Sequence, residues 1–338
     1  MDNTQILLSK RPDGAVCAAC FSIRHVACAP LASGQVRVRN IYLSCDPYMR
    51  GQFGADSKSK TPFPLDEPVS ARVVGQIDDA GDTGLTVGTY VWGFLAWEQY
   101  SVVDAGTLRI VDPALGPLSH AISVLGMPGL TAYVGVHTIG KPQAGEVVFV
   151  SAGSGAVGQV AGQLALLAGA RVYACVGSDT KVQYLTQELG FTGAFNYRKA
   201  PSTSVALQAL CPDGVDFYFD NVGGEVLDAV LARLRPGARI AVCGQISQYD
   251  SGPAGGDPIR NFSALLAARA LVKGFSVRDH MHLFDEAVPE LARLLTEGKL
   301  KFRDDIVDGI ENTPQAFIGM MRGDNIGKRL VRIGPHAL

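Results

Sequence analysis

The sequence predicts a two-domain α/β protein, with a helix-covered parallel sheet joined to a largely antiparallel, barrel-like β domain. Three observations carry that expectation. The chain of 338 residues is long for a single core. Up to about residue 120, short β-prone runs alternate with turn signals, the pattern of an antiparallel domain. From Met127 onward strand-like and helix-like segments alternate instead, which indicates parallel strands covered on both faces.

In the first domain, "QVRVRNIYL" (35–43), "VSARVVGQI" (69–77) and "TYVWGFLAWEQYSVV" (89–103) read as strands. "SG", "DDAGDTG" and "PALGP" bound them as turns. In the second, the alternation runs through "EVVFVSA", "AVGQVAGQLALLAG", "RVYACVG" and "KVQYLTQELG", then "VDFYFDNVGG", "EVLDAVLARLRPG", "ARIAVCG" and "ALVKGFSV". Val226, Leu227, Val230, Leu231 and Leu234 fall at helical spacing, so one stripe is expected against the sheet. After the helix "LFDEAVPELARLLTEGKL" the segment "FRDDIVDGIENTPQAFIGMMRGDNIGKRLVRI" reads strand–helix–strand and is expected to rejoin the first domain. The expected division is 1–125 with 299–338, and 126–298.

Composition excludes several function classes. Apolar residues make up 47% and charged residues 18% of the chain, as in a folded globular protein. Thirty basic and thirty-two acidic side chains nearly cancel, which argues against nucleic acid or an anionic membrane as partner. The opening "MDNTQILLSKRPDG" lacks a charged-then-apolar signal, so a cytoplasmic chain is expected. Seven cysteines without a framework spacing agree with that compartment. Residues 147–170 carry no charge, long enough for a membrane helix. Their Gly, Ser and Gln content and β-branched start read instead as strand plus helix.

The most informative stretch is "VVFVSAGSGAVGQVAGQLALLAGARVYACVGSD" (147–179). Ala152, Gly155 and Gly158 stand at dinucleotide-turn spacing between a strand and a helix, with a second strand following. A small residue at Ala152 permits the tight turn, Gly155 lets a diphosphate approach the backbone, and Gly158 lets the helix lie close to the sheet. The diphosphate is then expected at the positive end of that helix. A site for NAD places a carboxylate at the end of the second strand, on the ribose 2′-hydroxyl. Here Gly177 stands there, Lys181 is placed to attract a phosphate, and Asp179 is expected to cap a helix starting at Thr180. The expected cofactor is NADP(H).

In "YLSCDPYMRG" (42–51) the thiol of Cys45 adjoins the carboxylate of Asp46, the possible start of a zinc site. Zinc needs three or four converging ligands. Cys17 and Cys20 form one Cys-x-x-Cys pair with no second, and Cys28 is isolated. The six histidines, 25, 120, 137, 280, 282 and 336, include no His-Glu-x-x-His. No metal site is expected. Nor is "GSGAVG" the Gly-x-Ser-x-Gly elbow of a hydrolase.

Taken together, "YLSCDPYMRG", "GMPGLTAYVG" (126–135), "SAGSGAVGQVAGQLA" (151–165), "GSDTKVQYLTQELGFTGAFNY" (177–197), "DNVGGEVLDAVL" (220–231), "CGQISQY" (243–249) and "GDNIGK" (323–328) resemble the zinc-independent medium-chain dehydrogenases/reductases. The similarity is to the leukotriene/prostaglandin reductase and alkenal double-bond reductase branch. It implies a GroES-like antiparallel β-barrel domain joined to a Rossmann parallel-sheet domain, with the active site in the cleft between them. It implies NADPH-dependent reduction of a C=C bond conjugated to a carbonyl, with hydride reaching the β-carbon, and a small enone or alkenal as partner. In zinc-dependent relatives a cysteine near the position of Cys45 binds the metal; their Gly-His-Glu partner is replaced here by "PVSARVVGQ".

By the same resemblance, Ser154, Gly155, Ala156 and Val157 match the diphosphate turn, and Lys181 and Tyr197 the adenosine phosphate contacts. Asn221, Cys243, Gly244 and Tyr249 match the ribose and nicotinamide contacts at the strand ends. Phe275, Ser276, Val277 and Asn325 match contacts closing over the nicotinamide, and Met127 and Thr131 lie by its carboxamide. Tyr48 and Tyr249 are the catalytic candidates, since a phenol keeps a donor proton at neutral pH. Prostaglandin and plant members carry a further tyrosine eight positions before the phenylalanine of the "GFSV" strand, where this chain has Ala267. "NFSALLAARALVKGF" is more similar to the bacterial curcumin-reductase subgroup. Quinone reduction on the same fold, or cofactor binding without catalysis, are the alternatives, and pocket walls are expected from 54–68 and 247–262. A homodimer is the expected assembly.

Overall fold

The computed structural model describes residues 1–55, 61–251 and 256–334. Parts of both expected pocket-wall segments, 56–60 and 252–255, lie outside the described residues, as does His336. The chain forms two compact units, Met1–Ser123 with Asp304–Leu338, and Val124–Arg303.

In the first unit, β1 (Asp2–Leu8) and β2 (Phe21–Ala27) form an antiparallel pair. β3 (Gln35–Ser44), β4 (Ser70–Asp79), β5 (Tyr90–Ala96), β6 (Tyr100–Asp104) and β7 (Arg109–Ile110) build the main antiparallel sheet. The short helix α1 (Met49–Phe53) follows the end of β3. An aromatic cluster of Phe53, Trp97 and Phe317 fills the core, and the Phe53 ring meets Phe317 edge-on at 5.1 Å.

The second unit is a parallel sheet. Its strands are β8 (Val147–Ser151), β9 (Arg171–Val176), β10 (Gly193–Asn196), β11 (Val215–Asp220), β12 (Leu234–Val242) and β13 (Leu271–Gly274). They lie in the order β10-β9-β8-β11-β12-β13. Order therefore reverses between β8 and β11, the switch point at which ligands settle outside the strand ends. Every side chain of β8 and of β11 is buried, as central strands covered on both faces require. The connecting helices are α2 (Met127–Tyr133), α3 (Gly158–Leu167), α4 (Asp179–Gln183), α5 (Thr203–Leu210), α6 (Gly224–Leu231), α7 (Ala264–Ala268) and α8 (Phe284–Thr296).

Two local readings change. The stripe on α6 ends at Leu231, because Leu234 already opens β12; "RPG" lies within that strand. The charge-free stretch 147–170 divides into β8 and α3, and no described helix is long and apolar enough to cross a membrane. The last segment returns to the first unit as β14 (Asp304–Asp308), α9 (Thr313–Met321) and β15 (Lys328–Arg332). β14 pairs parallel with β15, and β15 pairs antiparallel with β3. That second pairing brings Lys328 to the end of β3, where Cys45 and Asp46 stand.

Candidate active site

The turn from β8 into α3 has the shape that a diphosphate needs. Ala152 takes a left-handed conformation (φ 49°), which a residue other than glycine enters at some cost. A Cβ on Gly158 would stand 2.4 Å from the Ala152 carbonyl oxygen, so nothing larger than glycine lets α3 start so close to β8. Gly153 has the same role against the second strand: its Cβ would lie 2.7 Å from that of Ala174. Ser154 is buried, while Gly155, Ala156 and Val157 are half-buried at the head of α3. No side chain caps that helix at Val157. The turn and helix end fit a dinucleotide phosphate.

At the end of β9 the polar residues sort themselves. Ser178, not Asp179, caps α4, its hydroxyl accepting from the Lys181 backbone N–H at 3.3 Å. Asp179 is the first residue of the helix, and its carboxylate accepts from Asn196 Nδ2 at 2.7 Å and pairs with Lys199. Those hydrogen bonds hold its pKa below the usual carboxylate value. The carboxylate is thus committed to Asn196 and Lys199. Lys181 is buried, with 7% exposure. The Tyr197 hydroxyl and Arg198 Nε crowd Gly177, at 2.9 and 3.4 Å from where its Cβ would be. Arg198, which sequence reasoning missed, adds a second cation to this corner. It follows Tyr197 directly, and its guanidinium lies 6.0 Å from that ring's centre.

Strand ends β8, β11 and β12 bring a third group together. Asp220 is buried, and its Oδ1 accepts from the Tyr218 hydroxyl (2.7 Å) and the Val222 and Gly223 N–H groups (3.0 and 2.8 Å). Burial raises its pKa against those hydrogen bonds. This network shapes the "NVGG" turn. Asn221 donates from its backbone to Ser151 Oγ (2.9 Å) and from its side chain to the Ser151 carbonyl (2.8 Å), tying β11 to β8 at the switch point. Cys243 and Gly244 both donate backbone N–H groups to the Asp220 carbonyl (2.8 and 3.1 Å). The Cys243 thiol is pushed up to about 12, chiefly by burial and then by Asp220, so it stays protonated. The Tyr249 hydroxyl accepts from the Gln245 N–H at 3.3 Å and stands 3.3 Å from where a Gly244 Cβ would be. Burial raises its pKa as well, which preserves a phenol able to donate.

The remaining candidates stand nearby or apart. Met127 opens α2 and is buried; the Thr131 hydroxyl donates to its carbonyl at 2.7 Å. The Phe275 ring packs with Leu130, Val134 and Ala287 and meets Phe219 edge-on at 6.5 Å. Its backbone, rather than its ring, is therefore the part suited to a ligand. Ser276 caps the turn that begins at Val277, accepting from the Arg278 N–H at 3.4 Å. Asn325 belongs to the first unit, where its side chain donates to the Gly327 carbonyl at 2.6 Å.

Tyr48 also lies in the first unit, half-buried between the end of β3 and α1. Beside it, Asp46 Oδ1 accepts from Lys328 Nζ at 2.7 Å and Oδ2 from the Ser44 hydroxyl at 2.7 Å. Arg72 Nη1 lies 3.7 Å from Asp46 Oδ2 and 3.4 Å from the Tyr48 hydroxyl. Burial opposes ionisation of Asp46, but Lys328 and Arg72 outweigh it and its pKa is lowered. The Cys45 thiol is fully buried and pushed up to about 12. Lys328 Nζ also donates to the Cys45 carbonyl at 2.6 Å. Zinc takes three or four ligands from Cys, His, Asp or Glu. Here the Asp46 carboxylate already holds the Lys328 ammonium, so the corner does not fit zinc. Among the described residues no group of three His, Cys, Asp or Glu side chains converges as a metal site.

A dinucleotide turn at the switch point of a parallel sheet, in one chain with an antiparallel β unit, is the mark of a dinucleotide-binding protein. Residues 4–111 match the family described as the N-terminal domain of oxidoreductase, and 156–297 the one described as zinc-binding dehydrogenase. The NADP-dependent 2-alkenal reductase of Nicotiana tabacum is 39% identical over 98% of both chains. The NADPH-dependent curcumin reductase of Escherichia coli is 35% identical over 98% of this chain and 97% of its own. A crystal structure of CurA from Vibrio vulnificus in complex with NADPH is 36% identical with a TM-score of 0.93, covering 98% of this chain and 100% of that one. The chain belongs to the medium-chain dehydrogenase/reductase family, in the branch of these reductases.

Proposed function

We propose that this protein uses NADPH to reduce the C=C bond of α,β-unsaturated ketones or aldehydes. The observation that carries the reading is end-to-end similarity to two reductases of such compounds, on a chain whose dinucleotide turn is intact. Bound NADPH supplies the hydride that reaches the β-carbon. Residues 154–157 seat the diphosphate. Lys181, Arg198 and Tyr197 receive the adenosine 2′-phosphate, where Asp179 would repel it were it not paired with Lys199. Asn221, Cys243 and Gly244 orient the nicotinamide ring, with Met127, Thr131 and the 275–277 backbone beside it.

As hydride arrives, charge builds on the substrate's carbonyl oxygen, and a donor aimed there lowers the barrier. Tyr249, whose hydroxyl oxygen accepts from the Gln245 N–H, keeps its own proton to donate there. Tyr48 delivers the proton to the α-carbon. Exchange of Tyr48 for phenylalanine tests this: turnover of an enone falls by on the order of 10²-fold, while turnover of a quinone, which needs no placed proton, is retained. Equal loss with both substrates would contradict the role.

Two broader parts of the reading follow. The protein works as a homodimer paired along β13, the edge strand of the parallel sheet, whose four residues are all exposed. Leu271 in that strand is 56% exposed, and Phe262 and Leu266 of the preceding segment add apolar surface at 67% and 85% exposure. The mass in solution tests it, with Leu266→Asp expected to give a monomer. Seven free cysteines support a cytoplasmic location.

A further inference from the structure

We propose that Arg72 is a positioning residue that sets the acidity of the Tyr48 phenol. The inference rests on the reading of Tyr48 as the proton donor and adds how that phenol is tuned. Arg72 lies in β4, 7% exposed, directly opposite Phe94 of β5. Its guanidinium stands 5.2 Å from the Phe94 ring centre and 5.6 Å from that of Tyr48, and it faces the Asp46 carboxylate at 3.7 Å. Thus held, its Nη1 directs an N–H at the Tyr48 oxygen from 3.4 Å.

The consequence concerns charge. Asp46 contributes one negative charge, while Lys328 and Arg72 contribute two positive charges, so the cluster beside the phenol is positive overall. A nearby positive charge favours the phenolate. When the proton passes to the α-carbon, the O–H electron pair stays on the Tyr48 oxygen beside Arg72, and solvent then restores the proton. In this corner the cationic cluster takes over the stabilisation of negative charge that a metal ion gives elsewhere.

Among the described residues, the other charged or titratable groups of this corner are Cys45 at the end of β3, Arg50 in α1 and Arg329 in β15. Arg50 donates to the Gly14 carbonyl. Arg329 pairs with Asp305 at 3.3 Å. The Cys45 thiol titrates only at about 12. Arg72 is the cation at the phenol oxygen whose removal leaves Asp46 bonded to Lys328 and Ser44.

The test compares pH profiles of the wild type, Arg72→Met and Arg72→Lys with NADPH and trans-2-hexenal. In Arg72→Met, kcat at neutral pH is expected to fall about tenfold and the alkaline limb to move up by about one pH unit. Arg72→Lys, which keeps the charge, holds the limb near the wild-type position. An unmoved limb in Arg72→Met, or the same shift in both variants, overturns the inference. Tyrosinate absorbance read against a Tyr48→Phe background follows the same phenol without turnover. If the wild type fails to reduce the alkenal, the functional reading falls. The absorbance titration then decides on Arg72 alone, an upward shift of the Tyr48 signal supporting the coupling and no shift ending it.

Discussion

Replacing Lys328 by methionine is the most revealing perturbation of the fold. The side chain is 2% exposed and its ammonium serves both Asp46 Oδ1 and the Cys45 carbonyl. Methionine fills much of the volume but leaves the carboxylate with Ser44 at 2.7 Å and Arg72 at 3.7 Å. A buried charge that loses its partner costs about 3–5 kcal/mol, and the orphaned carbonyl accounts for about 1–3 kcal/mol of loss on its own. Because Arg72 remains, a total near the combined lower end, about 4 kcal/mol, is expected. The pH dependence carries a sign. In the wild type the folded-state pKa of Asp46 is lowered, so its contribution is present above the unfolded carboxylate pKa and is lost as pH falls through the folded value. Without Lys328 that pKa rises, so the variant's deficit is largest at neutral pH and narrows toward pH 4. Urea unfolding followed by tryptophan fluorescence measures it, since Trp97 lies in the core of the same unit. A loss under about 1 kcal/mol, the worth of an exposed ion pair, or a deficit that does not change with pH, would refute the reasoning.

Other positions make separate predictions. Gly158→Ala pushes a methyl to 2.4 Å from the Ala152 carbonyl; NADPH affinity by fluorescence titration is expected to drop at least tenfold, with α3 displaced from β8. Lys181→Ala removes the proposed contact with the 2′-phosphate, a charge-assisted bond of the kind worth about 1.5–3 kcal/mol. The preference for NADPH over NADH should therefore fall about 10- to 100-fold, with kcat for NADH unchanged. At pH 8, alkylation read by mass spectrometry should modify the exposed Cys17 and spare Cys45, Cys175, Cys211 and Cys243. Burial pushes those four thiols up to about 12.

Much of this was legible in the sequence because the signals are local. The strand–turn–helix order around 147–167 and the small residues at 152 and 158 are dictated by backbone geometry, and the structure uses them so. The α6 stripe ran one turn too far, to Leu234, because helical spacing does not reveal where a β-strand claims the next apolar residue. Asp179 was read as a cap; Ser178 takes that place, and Lys199 and Asn196, twenty and seventeen positions on, draw the carboxylate away. Lys328 and Arg72 carried no sequence signal. They meet Asp46 only because β15 pairs with β3 and β3 with β4, contacts separated by up to 282 positions. Cys45 and Asp46 were legible as a corner, but their chemistry depends on those distant cations.

The central claim is tested most directly by where the hydride goes. A 2-alkenal is incubated with the protein and NADPH deuterated at the transferred position, and the product is examined by NMR. The account predicts the saturated aldehyde with deuterium on the β-carbon. An allylic alcohol with deuterium on the carbonyl carbon, or no product from any enone or alkenal, would contradict it.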